Sequence, residues 1–135
     1  MLAICKSILG GDIPASGRYL GEMDQTNYSP LMVGEGYVVY GLLFLFDRVD
    51  FLVRAPEQPP FWVPSHLFDL IDTKVPAGWE FRITQGCADY KALFDAFGIN
   101  YIMGYPLLVN EYRHYVGLVE RDSREIQRFL EFKME

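Results

Sequence analysis

The sequence predicts an α+β domain, a small β-barrel or open β-roll over residues 1–85 finished by helices over residues 86–135. Three observations lead there. Up to about residue 84, short β-branched and aromatic runs alternate with Gly, Pro and Asn, the pattern of strands broken by turns. From residue 88 the apolar spacing changes to three and four, that of one helix face. Half of the 135 residues are hydrophobic, with ten Phe, nine Tyr and two Trp, and 22% are charged. A chain of this length suits one domain with one core and buries roughly two thirds of its unfolded surface.

Leu2 to Lys6 reads as a short first strand. Gly10-Gly11-Asp12-Ile13-Pro14, Ser16-Gly17 and Asn27-Tyr28-Ser29-Pro30 then mark a long irregular loop. Loops of that length in a small domain are often functional. Leu31 to Phe46 is the strongest strand segment, apolar on both faces over Tyr37 to Phe46. Gly41 inside it predicts a bend. Asp47-Arg48 turns the chain, and Val49, Phe51 and Val53 alternate with Asp50, Leu52 and Arg54 as a returning, half-exposed strand. Residues 55–60 form a loop stiffened by three prolines. Phe61 to Val63 is a short strand, residues 64–67 one helical turn with Pro64 at its start, and Phe68 to Asp72 a last barrel strand. Tyr37, Val39, Phe44, Phe51, Val53, Phe68 and Ile71 are the expected core. After a turn at 75–78, Trp79, Phe81 and Ile83 alternate with polar residues as a further strand or an extended segment across the barrel.

Tyr90, Leu93, Phe94 and Phe97 lie at helical spacing, and Gly98 suits a helix end. Over 101–115, Gly104, Pro106 and Asn110 predict short helical pieces. Asp122-Ser123-Arg124-Glu125 has the form of a capping box, with Asp122 as cap and Glu125 reaching back. The last helix should run to about Lys133.

Short first strand, long loop, long bent strand, hairpin, returning strand, proline-containing turn and closing strand is the order of an SH3-like barrel. Val63 to Phe68 sits where such barrels place their single helical turn. The chain also resembles a family of small bacterial proteins of this kind. The resemblance is carried by Ile4-Cys5-Lys6-Ser7, Ile13-Pro14, Val33 to Gly41, Trp62-Val63-Pro64, Leu67-Phe68-Asp69, Ile71-Asp72, Val75-Pro76, Gly78-Trp79, His114-Tyr115 and Leu118 to Asp122. These short pieces cover most of the chain. Such proteins are similar in size and acidity to immunity proteins of bacterial toxin systems. The resemblance implies a toxin-neutralising role and brings no catalytic residue with it.

Charge narrows the partners. Twelve Lys and Arg stand against 18 Asp and Glu, a net charge of −6. A reader of phosphate backbones needs a basic face, so nucleic acid is not expected. Acidity serves solubility and also speeds encounter with a basic partner. The longest apolar run, Tyr37 to Phe46, is too short to span a bilayer. The N-terminus lacks the basic start of a signal peptide, so a cytoplasmic protein is expected. Cys5 and Cys87 lack metal-site spacing and are read as two reduced, buried thiols, with a single disulfide as the alternative.

No nucleotide, zinc-protease or calcium-loop motif is present. A nucleophile–base pair would draw on His66 or His114 with Cys5, Cys87 or Ser65. Ser65 adjoins its His on one turn, a poor geometry for proton transfer, and His114 is read as packed between Tyr112 and Tyr115. Asp47 with Asp50 and Asp69 with Asp72 are read as solvated turn acids. The expectation is therefore a binding protein without cofactor or metal. Its partner surface is placed on the 11–30 loop, the 55–60 loop and the 64–67 turn, with Tyr19, Glu22, Asp24, Tyr28, Glu57, Trp62 and His66 as binding residues. Aromatic groups with a polar tip favour interfaces, though the same residues could simply cover the barrel. The other reading is a small ligand-binding or catalytic domain, with a pocket between barrel and helices near Trp79, His114 and Tyr115.

Overall fold

The computed structural model describes residues 1–134 and is α+β: two antiparallel sheets with four helices. The strands are β1 (Leu2–Cys5), β2 (Gly36–Val38), β3 (Gly41–Leu45), β4 (Arg48–Val53), β5 (Phe61–Pro64), β6 (Phe68–Asp72), β7 (Glu80–Ile83) and β8 (Ile99–Gly104). The helices are α1 (Lys91–Phe97), α2 (Pro106–Asn110), α3 (Tyr112–Val119) and α4 (Ser123–Met134). One sheet has the order β2-β1-β6 and the other β5-β4-β3-β8-β7. Pairing among the described residues leaves these as two sheets and does not close a barrel.

The expected bend in the long apolar strand is where the chain changes sheets. The Val39 N–H donates to the Met1 carbonyl beside the first sheet, and the next N–H, of Tyr40, donates to Leu52 in the second. Gly41 follows because a side chain has no room: a Cβ there would lie 2.6 Å from Leu108 Cδ2.

Alternation along β3 and β4 sends residues to two cores. Leu42, Phe51, Val53 and Val63 pack between the sheets with Ala3, Val39 and Phe68. Leu43, Leu45 and Leu52 face the other way, onto Ile102, Tyr105, Leu108 and Phe129. Helices cover that second face, so β4 is buried on both sides rather than half-exposed.

Two further placements are corrected. Residues 99–104 form β8, not a helical piece, and β8 lies between β3 and β7. Gly104 reads as a helix breaker but marks a close approach. At Gly104 a Cβ would sit 2.8 Å from Leu108 Cδ2. Gly98 does end α1, in the left-handed region with φ of 67°, its N–H bonded to Leu93 and Phe94. The second correction is Ile71, which is 59% exposed. The edge strand β6 pairs only with β1 and buries only Phe68. Phe44 is half-buried, and Phe81 and Ile83 are exposed on the edge strand β7.

Asp122 caps α4 as expected: its carboxylate accepts from the N–H of Arg124 at 2.8 Å and of Glu125 at 3.4 Å. Glu125 does not reach back to complete the box. Its side chain turns inward to His114, past Gly117 of α3, where a Cβ would lie 2.2 Å from Glu125 Cγ.

The two residues of β6 give a paired test. Phe68→Ala, at a site 5% exposed, should cost about 3–5 kcal/mol in a urea melt. Ile71→Ala should change stability by under about 0.5 kcal/mol. A larger cost at Ile71 than at Phe68 would mean that β6 is set the other way round.

Candidate functional site

The tight turn between β3 and β4 places Arg48 at the start of β4 and Asp50 two residues on, on the same face. Arg48 Nε donates to Asp50 Oδ1 at 2.7 Å and Nη2 to Oδ2 at 3.0 Å, a bidentate fork. Nη1 donates to Glu22 Oε1 at 2.6 Å and to the Gly17 carbonyl at 2.9 Å. The Arg48, Glu22 and Asp50 side chains are only 1%, 9% and 3% exposed. Glu22 also accepts from the backbone N–H groups of Tyr19 and Leu20. The long loop is thereby fastened to the sheet through one carboxylate. Burial pushes Glu22 up, but the bonds from Arg48 outweigh it and leave its carboxyl below the ordinary value. For Asp50 burial wins over Arg48, and its carboxyl lies above the ordinary value.

Trp62, on β5 opposite Leu52, is half-buried. Its ring lies 6.1 Å from that of Tyr115 on α3. Gly41 lies beneath it, where a Cβ would come within 3.3 Å of the indole. The Trp62 Nε1 is buried with no hydrogen-bond partner among the described residues. Trp62 lines two openings. One is a cleft of about 230 Å³ formed with Asn27, Tyr28 and Pro30 of the long loop, Gln58 and Pro59 of the 55–60 loop, and Arg121. The other is a cavity of about 470 Å³ between the sheet and the helices, where Asp50 and Tyr115 also face in.

The expected partner residues thus separate into groups. Tyr28 and Trp62 share the smaller cleft. Tyr19 lies over Phe46, with ring centroids 4.7 Å apart, and its hydroxyl donates to Asp47. Glu22 is an internal ion-pair member and adds no charge to a rim. Asp24 is exposed and pairs with Arg18 at 2.8 Å. Glu57 is exposed, with φ of 62°. His66 lies against the 15–17 turn: a Cβ on Gly17 would be 3.2 Å from its Cε1. The long loop therefore meets both the 55–60 loop and the 64–67 turn.

The pocket between sheet and helices exists, but its walls differ from the expected set. Tyr115 lines it, Trp79 packs against the core between the sheets, and His114 is fully buried. His114 is held by Tyr105 and Glu125 rather than packed between Tyr112 and Tyr115. Its Nε2 lies 2.7 Å from the Tyr105 hydroxyl and its Nδ1 2.9 Å from Glu125 Oε1. One pattern satisfies every atom: Tyr105 O–H donates to Nε2, and Nδ1–H donates to Glu125, which also accepts from Arg128. The order hydroxyl, imidazole, carboxylate matches that of a nucleophile relay, but the Tyr105 side chain is sealed in the core. Its role here is to lock α3 to α4.

Cys5 is buried, Cys87 is half-buried, and both are free thiols. Among the described residues no group of three His, Cys, Asp or Glu is placed to hold a metal ion, and no helix is long and apolar enough to cross a membrane. No protein-family model, curated protein or solved structure matches this chain.

Burial holds His114 below its ordinary 6.5, although Glu125 opposes the shift. Below 6.5 the unfolded chain therefore takes up a proton that the folded chain refuses. Stability is complete above 6.5 and falls as pH drops toward the folded value. Urea melts should show a lower midpoint at pH 5.5 than at pH 7.5. At pH 6.5 the ring nitrogens in an NMR spectrum should report a mostly neutral His114 protonated on Nδ1. A His114 already charged at pH 6.5 would overturn the assignment.

Proposed function

We propose that the chain is a protein-binding module, an immunity-type inhibitor that neutralises a bacterial toxin in the cytoplasm by direct binding. The observation that carries this is Trp62, a half-buried indole between two converging loops, seated on Gly41 and Tyr115. A large, rigid, amphipathic ring in such a seat is the usual form of an interface anchor. The binding surface is formed by the 11–30 loop, the 55–60 loop and the 64–67 turn. Asp24 and Glu57 are its exposed acids, and with a net charge of −6 they favour a basic toxin domain.

The underlying scaffold is read as SH3-like. Supporting this, one bent strand serves both sheets as β2 and β3, and a single helical turn at Ser65–Leu67 joins β5 to β6. On this reading β7, β8 and the helices are additions to the free edge of β3. A non-catalytic role is supported by the enclosure of the Tyr105, His114 and Glu125 chain.

The test is co-expression with toxin domains encoded beside this gene, reading growth and co-purification. The chain should restore growth and form a complex whose association slows as salt rises. Trp62→Ala should weaken the complex by about 2 kcal/mol or more, while Trp62→Phe, which keeps most of the packing, separates binding from folding. A complex that covers α1 to α4 and is unaffected by Trp62 substitution would refute this surface.

A further inference from the structure

The cavity on the inner side of Trp62 carries an inference independent of any protein partner. Four aromatic side chains line it: Tyr19 from the long loop, Trp62 from β5, Phe97 from the end of α1 and Tyr115 from α3. Leu43 and Leu45 of β3 add aliphatic wall. At its mouth Leu20, Phe97 and Val119 are about half exposed, so a solute can enter. Its volume of about 470 Å³ lies in the range of small-molecule sites.

The charge of the cavity is set by the ion cluster beneath it. Arg48 is one cation against two carboxylates, Glu22 and Asp50, and Asp50 is the member that lines the space. The three side chains together carry one net negative charge, and Asp50 is the part of that cluster that faces the cavity. Aromatic faces around a space with a net negative charge attract cations.

The kind of cation follows from hydrogen-bond supply. A primary ammonium brings three N–H donors, each costly if left unpaired in a dry site. Both Asp50 oxygens already accept from Arg48, and most of the remaining wall is hydrocarbon. A quaternary ammonium has no N–H to satisfy and presents a charged but apolar surface to the rings. We propose that this cavity binds a small molecule carrying a quaternary ammonium group, with Tyr19, Trp62, Phe97 and Tyr115 as the aromatic wall and Asp50 as the counter-charge.

The two tryptophans provide the readout. Trp62 lines the cavity, whereas Trp79 packs against the other core. Titrating the full chain with choline or tetramethylammonium should shift the Trp62 indole N–H resonance saturably and leave that of Trp79 in place. Ethanolamine, and the uncharged tert-butyl analogue of choline, should each bind at least about threefold more weakly. Phe97→Leu keeps bulk at an exposed position and should weaken choline roughly threefold or more. Val119→Trp, at the mouth, should abolish the shift, and both variants should retain the wild-type melting midpoint. No saturable shift with either cation overturns the proposal, as does equal binding of the uncharged analogue or of ethanolamine. Choline affinity unchanged in both folded variants places the ion elsewhere and also overturns it. Binding only of a trimethyl-lysine peptide, with the free cations inert, overturns the small-molecule assignment.

Discussion

A guanidinium out of water must be paired on nearly every side, and Arg48 organises much of the molecule for that reason. Its fork is filled by Asp50 from its own strand, and its outer nitrogen by Glu22 and the Gly17 carbonyl from the long loop. Removing one partner from such a cluster costs about 3–5 kcal/mol, mostly the penalty of the charge left behind. A set of apolar side chains could fill the same volume, but it would not define where an irregular loop must sit. The directional bonds do, because Glu22 also receives the N–H groups of Tyr19 and Leu20. A loop without a strand of its own thus gains a fixed position from one arginine.

Close backbone approach is the second constraint. Gly41 and Gly104, paired across β3 and β8, leave the space that Leu108 enters from α2. Larger residues there would push the helical layer off the sheet. Gly117 does the same between α3 and α4, admitting Glu125 to His114. In both places a residue with poor helix or strand propensity is kept where two elements pack too closely for a side chain.

These constraints explain what could be read from the chain. The bend at Gly41 in the long apolar run was legible, because Tyr37 to Phe46 is apolar on both faces and has a glycine inside, but not that the run starts only at Gly36 and passes from one sheet to the other. The end of α1 at Gly98 and the cap at Asp122 were legible, since each is a local rule with a local partner. The strand β8 was hidden because Gly104, Pro106 and Asn110 signal breaks by type, and Gly104 marks a close approach only by tertiary position. The inward turn of Glu125 was hidden because a capping box and a buried His–Glu pair use the same residue at the same offset. Ile71 was misplaced because alternation says which residues share a face, not whether anything covers it. The ion cluster was missed because Glu22 lies 26 residues before Arg48, and Asp50 beside a turn resembles any solvated acid.

The misread acid bears directly on recognition. Glu22 is expected as a charge on the rim of the proposed partner surface and lies instead inside the ion cluster. From there it still shapes that surface: it holds the loop from which Tyr28 and Pro30 form one wall of the Trp62 cleft. Pro59 stiffens the opposite wall, and Tyr115 and Gly41 seat the indole between them. A surface ordered before contact loses little further freedom on binding, so more of each contact's free energy appears as affinity. The same cluster, net negative by one charge, presents Asp50 to the cavity on the far side of Trp62. A buried ion group therefore orders one opening and charges the other, with a single tryptophan as the partition between them.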